Sequence, residues 1–203
     1  MGFDKLAADL AGTSVLQRSL EAMDTCEEID GLVVVAGDER RAAIESAGLA
    51  KLHAIVPGGD ERHQSVANGL EALPAGCDLV AVHDAARPLV RDTQILACLA
   101  AAREHGAASL AHRIHETVKR ADDSGLVKES LDRTNLWAME TPQAFRTDIL
   151  REAYAAVLKD GLVVTDEVSA LQHFGHPVEL VENPFPNPKI TLPADLELAG
   201  SLL

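Results

Sequence analysis

Short runs that are apolar at every position alternate along the chain with stretches of helical periodicity. Leu79, Val80, Ala81 and Val82 form one such run, the pattern of a strand buried on both faces. Gly31 to Ala36 reads the same way, His53 to Val56 forms a third apolar edge, and Ala107 to Ala111 reads as a further strand. Between them, Val15, Leu16, Leu20 and Met23 make a helical stripe, with Ser14 and Gln17 at capping-box spacing. Further helices are predicted near Glu39 to Ala47, His63 to Leu73 and Asp92 to His105. Buried strands alternating with helices predict an α/β fold, a mostly parallel sheet with helices on both faces.

The pattern changes between Ile114 and Trp137. Thr117 to Ala121 and Leu126 to Ser130 flank Asp122-Asp123-Ser124-Gly125, a hairpin whose turn needs glycine. It is polar on both faces, and a two-stranded arm alone in water is marginal. It is therefore expected to pack against another copy of the chain. WAMETPQAF follows from Trp137 to Phe145, with Pro142 read as a turn. Helices are predicted over Asp148 to Leu158, from Val164-Thr165-Asp166-Glu167 with Thr165 or Asp166 as cap, and over Ala194 to Leu203.

At 203 residues the chain suits one domain, 1–203, with 114–137 as a protruding arm. Aromatic residues are only 3%, so the core must be built of Ala, Val and Leu, and base-stacking platforms are scarce. The formal charge of -14 argues against a nucleic acid as partner. It still allows a small phosphorylated ligand held by a local basic cluster. Cys26, Cys77 and Cys98 are odd in number and lack metal spacing, which suits buried thiols in a reducing cytoplasm. No apolar run is long enough to span a membrane. His112 and His115 have no evident third ligand, so a role without metal is expected.

Candidate chemistry concentrates in three strings. In LVAVHDAARP, Asp84 and Arg87 follow directly on a buried strand, at the edge where open α/β sheets bind ligands. The plainer reading is that Asp84 caps a loop and Arg87 is its partner. In Gly58-Gly59-Asp60-Glu61-Arg62-His63-Gln64-Ser65, two glycines allow close backbone approach to a ligand. Backbone groups at Gly59 and Asp60, with the Ser65 hydroxyl, can read a pyrimidine edge. The alternative is a strand-to-helix turn capped by Asp60. The third string, Asn187-Pro188-Lys189-Ile190-Thr191, carries a lone lysine. No Ser-His-Asp or Cys-His grouping is evident.

These strings, with Thr117, Arg133, Thr141-Pro142-Gln143 and Thr165-Asp166-Glu167 in the same order, resemble the 2-C-methyl-D-erythritol 4-phosphate cytidylyltransferases of the non-mevalonate isoprenoid pathway. The resemblance covers nearly the whole chain. It implies a Rossmann-like nucleotidyltransferase fold, a homodimer joined through the arm, and a cytoplasmic enzyme. It also implies transfer of the cytidylyl group of CTP to the polyol phosphate, releasing pyrophosphate, with Mg²⁺ held mainly by the CTP phosphates. Lys5 and Lys189 would stabilise the transition state. Arg133 and Thr117, from the partner's arm, would hold the acceptor phosphate. Asp84 would bond hydroxyls of ribose or acceptor, Thr141 would contact substrate, and Arg87 would support the Asp84 loop. Gly59, Asp60 and Ser65 would hold cytosine. Glu116 and Arg113 stand where the family has aspartate and proline. The family opens with a strand and a glycine- and arginine-bearing loop, and Met1-Gly2-Phe3-Asp4-Lys5 resembles only the tail of that loop. An omitted segment ahead of Met1 is the expectation. Two other readings stay open: an acceptor such as ribitol 5-phosphate, or a non-catalytic nucleotide-binding module.

Overall fold

A computed structural model describes residues 4–203; Met1, Gly2 and Phe3 lie outside the described residues, and with them most of the loop tail read above. The chain opens on a small antiparallel pair, β1 (Asp9–Leu10) and β2 (Thr13–Ser14). Then come α1 (Val15–Thr25), β3 (Leu32–Val35), α2 (Asp38–Ser46), β4 (Leu52–Val56), α3 (Arg62–Glu71) and β5 (Leu79–Val82). After these follow α4 (Asp92–His105), β6 (Ala107–Arg113), the arm strands β7 (Lys119–Ala121) and β8 (Val127–Ser130), and β9 (Trp137–Arg146). The chain closes with α5 (Thr147–Lys159), α6 (Glu167–Phe174), β10 (Glu179–Glu182) and α7 (Pro193–Ser201).

Period-two alternation sorts the strand side chains between two helical layers. Leu79 and Ala81 join Met23 of α1 and Ile95, Cys98 and Leu99 of α4 on one face. Val80 and Val82 join Leu70 of α3, Leu150, Ala153 and Tyr154 of α5 and Leu171 of α6 on the other. The stripe Leu150, Ala153, Tyr154 and Val157 recurs at helical spacing and is buried throughout. Each large apolar side chain removed from water there contributes about 1.5–3 kcal/mol. Gly106 ends α4 in the left-handed region at φ 86°, and a Cβ there would come within 2.9 Å of Ile149 Cδ1, so the turn into β6 needs glycine.

Four strands form one sheet in the order β10-β6-β9-β5. β10 pairs with β6 in parallel, whereas β9 runs antiparallel to both β6 and β5. β3 and β4 form a separate parallel pair. Leu32 and Leu79, which open β3 and β5, share one apolar cluster, and Ala36 and Ala85, just past their ends, share another. β3 and β5 therefore run the same way. The sheet is mostly parallel, as expected, with β9 as its one reversed strand. Pro142 corrects the sequence reading: it is not a turn but lies inside β9, where the pairing with β6 shifts register between Ser109 and Ala111. A strand with a register break tolerates the lost proline N–H.

β3 and β5 are the facing edges of the two sheets, and no hydrogen bond joins them. A cavity of about 920 Å³ lies between them.

Candidate active site

Asp84 sits just past the carboxyl end of β5 and is the hub of the site. Its carboxylate lies 2.7 Å from Lys189 Nζ, 3.3 Å from Arg62 Nη2 and 4.0 Å from Arg87 Nε. Burial pushes its pKa up, but the three cations outweigh that and hold it below the usual carboxylate value. The plainer reading of the sequence, an Asp84–Arg87 pair, captures the weakest of these contacts. Arg87 mainly supports the next loop: its Nη1 donates to Asn187 O at 2.6 Å and its Nη2 to Met139 O at 3.3 Å.

Lys189 is presented between two anchors. Asn187 Nδ2 donates to Thr141 O and to Glu140 Oε2, and Ile190 is fully buried with its N–H on Ala86 O. The lysine side chain itself is 41% exposed, so the ammonium faces an open cleft of about 200 Å³ that Arg62, Asp84, Thr141 and Asp166 also line.

Thr141 and His83 fix the strand end. The Asp84 N–H donates to Thr141 Oγ1 at 3.0 Å, and Thr141 Oγ1 lies 3.1 Å from His83 Nδ1. His83 Nε2 lies 3.1 Å from Arg87 O. Only the tautomer with hydrogen on Nε2 satisfies this chain: Nε2–H donates to the carbonyl, and Nδ1 accepts from the threonine hydroxyl. Burial pushes the His83 pKa down to about 4. Above pH 6.5 folded and unfolded chains both hold it neutral. As pH falls from about 6.5 to 4, the unfolded chain takes a proton that the folded one refuses. Stability should therefore decline by about 3 kcal/mol across that window. Urea unfolding at pH 7, 5.5 and 4 checks this, and His83→Gln should flatten that part of the profile. The lowered pKa of Asp84 acts in a separate window, below about 3.8.

Nothing local in the Gly58-to-Ser65 string gives Arg62 a role. It is the bridge of the site: Nη1 and Nη2 hold Glu167 at 2.6 and 3.1 Å while Nη2 reaches Asp84. Glu167 is fully buried and also accepts from the Tyr154 hydroxyl at 3.0 Å. Of the two cap candidates, Thr165 and Asp166, it is Asp166 that caps α6 by accepting from Ser169 N, and Glu167 next to it anchors Arg62. The missed signal is an arginine at the start of a helix that follows a strand, pointing over the same sheet edge as Asp84.

The remaining residues fall elsewhere. Gly59 N–H donates to Ser65 Oγ, and a Cβ at Gly59 would meet Gln64 Cβ at 2.4 Å, so the glycine is required by packing on its own helix start. Glu61, not Asp60, caps α3, and Asp60 is exposed. Lys5 makes no ion pair among the described residues, but its neighbour Leu6 packs with Ile190, next to Lys189. Thr117 and Arg133 do not line the Asp84 cleft; Arg133 is exposed and donates to His115 O within its own arm. His112 Nδ1 lies 2.6 Å from the buried Glu140 carboxylate. No group of three His, Cys, Asp or Glu that could hold a metal occurs among the described residues.

A carboxylate and three cations at the carboxyl edge of a layered α/β sheet define a domain that handles phosphorylated ligands. The comparisons narrow this. Residues 1–203 match the family described as "IspD: 2-C-methyl-D-erythritol 4-phosphate cytidylyltransferase", and the chain belongs to that family. It is 44% identical over 199 residues to the bifunctional enzyme IspD/IspF of Desulforudis audaxviator, covering 96% of this chain and 50% of that one. It is 40% identical to the 2-C-methyl-D-erythritol 4-phosphate cytidylyltransferase of Pelotomaculum thermopropionicum, covering 96% and 84%. The crystal structure of the Thermus thermophilus cytidylyltransferase superposes with a TM-score of 0.86 at 32% identity, over 98% of this chain and 93% of that one.

Proposed function

We propose that this chain transfers the cytidylyl group of CTP to 2-C-methyl-D-erythritol 4-phosphate. The observation that carries the reading is Lys189, held at both sides by buried anchors and aimed at Asp84 over the cleft, in a chain of this family. An oxygen of the acceptor phosphate attacks the α-phosphorus of CTP, the bond to the β-phosphate oxygen breaks, and pyrophosphate leaves. The chain needs no nucleophile of its own. It positions the reactants and stabilises charge developing on phosphorus. Lys189 would leave Asp84 for the α-phosphate, with Lys5 on its other side, while Asp84 keeps Arg62 and turns to ligand hydroxyls. Thr141 holds the Asp84 backbone and contacts substrate at the cleft. Gly59, Asp60 and Ser65 would read cytosine. Magnesium, entering on the phosphates of CTP, would neutralise their charge.

Arg133 and Thr117 would serve the cleft of a second subunit. The arm strands are exposed along their whole length, and Leu126 and Val127 near its tip are 67% and 65% exposed, surface that a homodimer would cover. One domain with this arm, working in the cytoplasm with its cysteines unpaired, completes the proposal.

Pyrophosphate release tests it. CTP should be turned over well above ATP or GTP, and 2-C-methyl-D-erythritol 4-phosphate above ribitol 5-phosphate. Comparable use of ATP would contradict the cytosine assignment, and a preference for ribitol 5-phosphate would replace the acceptor.

A further inference from the structure

Lys189 is carried on a loop poor in main-chain donors. Residues 184, 186 and 188 are proline, so every second position just ahead of the lysine lacks an N–H. The ends of the loop are tied: the Asn183 N–H donates to Ala111 O, and the Ile190 N–H to Ala86 O. Between these ties two side-chain amides do what the prolines cannot, and both converge on one atom. Asn183 Nδ2 donates to Glu140 Oε2 at 2.8 Å, and Asn187 Nδ2 donates to the same oxygen at 3.1 Å. Glu140 is only 4% exposed and lies on β9, directly before Thr141. Its other oxygen is 2.6 Å from Nδ1 of His112, near the root of the arm. A carboxylate accepts and does not donate, so this contact assigns the hydrogen to Nδ1. Arg87 grips Asn187 from its other end, donating to the main-chain carbonyl. Burial lowers the Arg87 pKa, and the Glu140 charge, ahead of that of Asp84, opposes the shift. The residue two before Lys189 is therefore held by its amide and by its carbonyl, and Glu140 bears on both.

We propose that Glu140 is the positioning residue of Lys189, acting through Asn187 and not on a reactant. The inference rests on the reading of Lys189 as the group that stabilises charge on the α-phosphorus. Both oxygens of Glu140 are already taken by protein donors, so the carboxylate has its hands full inside the fold. Its part differs from that of Asp84. Asp84 holds the ammonium at rest and must release it for the reaction, whereas Glu140 holds the loop throughout turnover. A charge stabiliser has its full effect only when kept within a fraction of an ångström of its place. Without the Glu140 oxygen, the Asn183 amide loses a buried acceptor and Asn187 keeps only Thr141 O. The loop can then shift, and a displacement on the order of 1 Å can cost about 10²-fold in rate. Glutamine should replace Glu140 well. Its carbonyl oxygen can accept from both asparagines, and its NH2 can donate to His112 Nδ1 once that ring takes the other tautomer.

The variants Glu140→Ala, Glu140→Gln, Asn187→Ala and the double Glu140→Ala/Asn187→Ala test this. Hydrogen exchange comes first and needs no nucleotide. In Glu140→Ala the amides of Phe185, bonded to Asn183 Oδ1, and of Ile190 should exchange at least about 10-fold faster, while those of α5 should not change. With CTP and 2-C-methyl-D-erythritol 4-phosphate, kcat should fall roughly 10- to 100-fold, and KM for CTP should move by less than about 3-fold. Glu140→Gln should restore most of the exchange protection and most of kcat. The double variant should be no slower than Asn187→Ala, because both changes break one link. If Glu140→Ala does not fold, Asn187→Ala, which leaves Glu140 its bonds to Asn183 and His112, should show the same loosening and the same loss of kcat. A normal kcat in the folded variant, a loss confined to KM, a glutamine variant as slow as alanine, or additive losses in the double would each overturn the proposal. If the wild type turns over no CTP, the functional reading fails by itself and exchange decides the rest. Unchanged loop amides would then overturn the positioning role, and loosened ones rescued by glutamine would uphold it.

Discussion

Lys189→Ala lowers turnover by roughly 10²- to 10³-fold, the scale expected when one preorganised charge stabiliser is lost. KM for CTP should move much less than kcat, because the ammonium matters most when charge accumulates on the α-phosphorus. The melting temperature should fall by less than about 4 °C. The lysine is 41% exposed, so its ion pair contributes about 0–1 kcal/mol, and Asp84 keeps Arg62 and Arg87 as partners. A variant that unfolds yet keeps its turnover per folded molecule would make Lys189 a structural residue. The anchors predict the same split: Ile190 is fully buried and should tolerate truncation poorly, which separates loop folding from lysine chemistry.

The second large effect comes from mixing two inactive variants. If the arm reaches across a two-fold axis, each site joins Lys189 of one subunit to Arg133 of the other. Arg133→Ala and Lys189→Ala homodimers then each lack one group at every site. Subunit exchange makes about half the dimers mixed, and in these one site collects both substitutions while the other has neither. Activity should return to roughly a quarter of wild type, measured once tagged co-purification has shown that exchange is complete. If both residues served one site within a subunit, no mixture could restore activity. In a single chain Arg133 stays on the arm and away from the Asp84 cleft, so recovery would locate the second half of the site.

Local pattern was enough for the strands and helices that carry the cleft. LVAV, the stripe of α1 and the Ser14 cap all read correctly, because burial and hydrogen bonding there are decided within a few residues. The string His83 to Pro88 placed Asp84 correctly for the same reason. Pro142 misled because proline usually ends a strand, and only the register break opposite it shows why this one does not. β10, Glu-Leu-Val-Glu, is too short and too polar at its ends to stand out, and pairing with β6 is what orders it. Arg62 and Glu167 are 105 residues apart, so their bidentate pair is a product of the fold and not of spacing. Arg87 keeps its place beside the Asp84 loop, but its short bond to the Asn187 carbonyl, 100 residues downstream, is beyond the reach of local spacing.

The arm leaves the sheet and returns to it at adjacent points, because Arg113 and Trp137 are register partners in β6 and β9. Its tip is the turn Asp122 to Gly125, with Lys119, Arg120 and Lys128 exposed on either side. Cutting there severs the polypeptide without separating any paired strands of the four-stranded sheet. The chain thus has a natural seam. Trypsin should nick it into two pieces that stay together, and genes opened at codon 124 should yield permuted or two-fragment versions that still assemble. In a dimer with the arm docked, the same seam would be shut, so the rate of cleavage in the arm becomes a direct gauge of assembly.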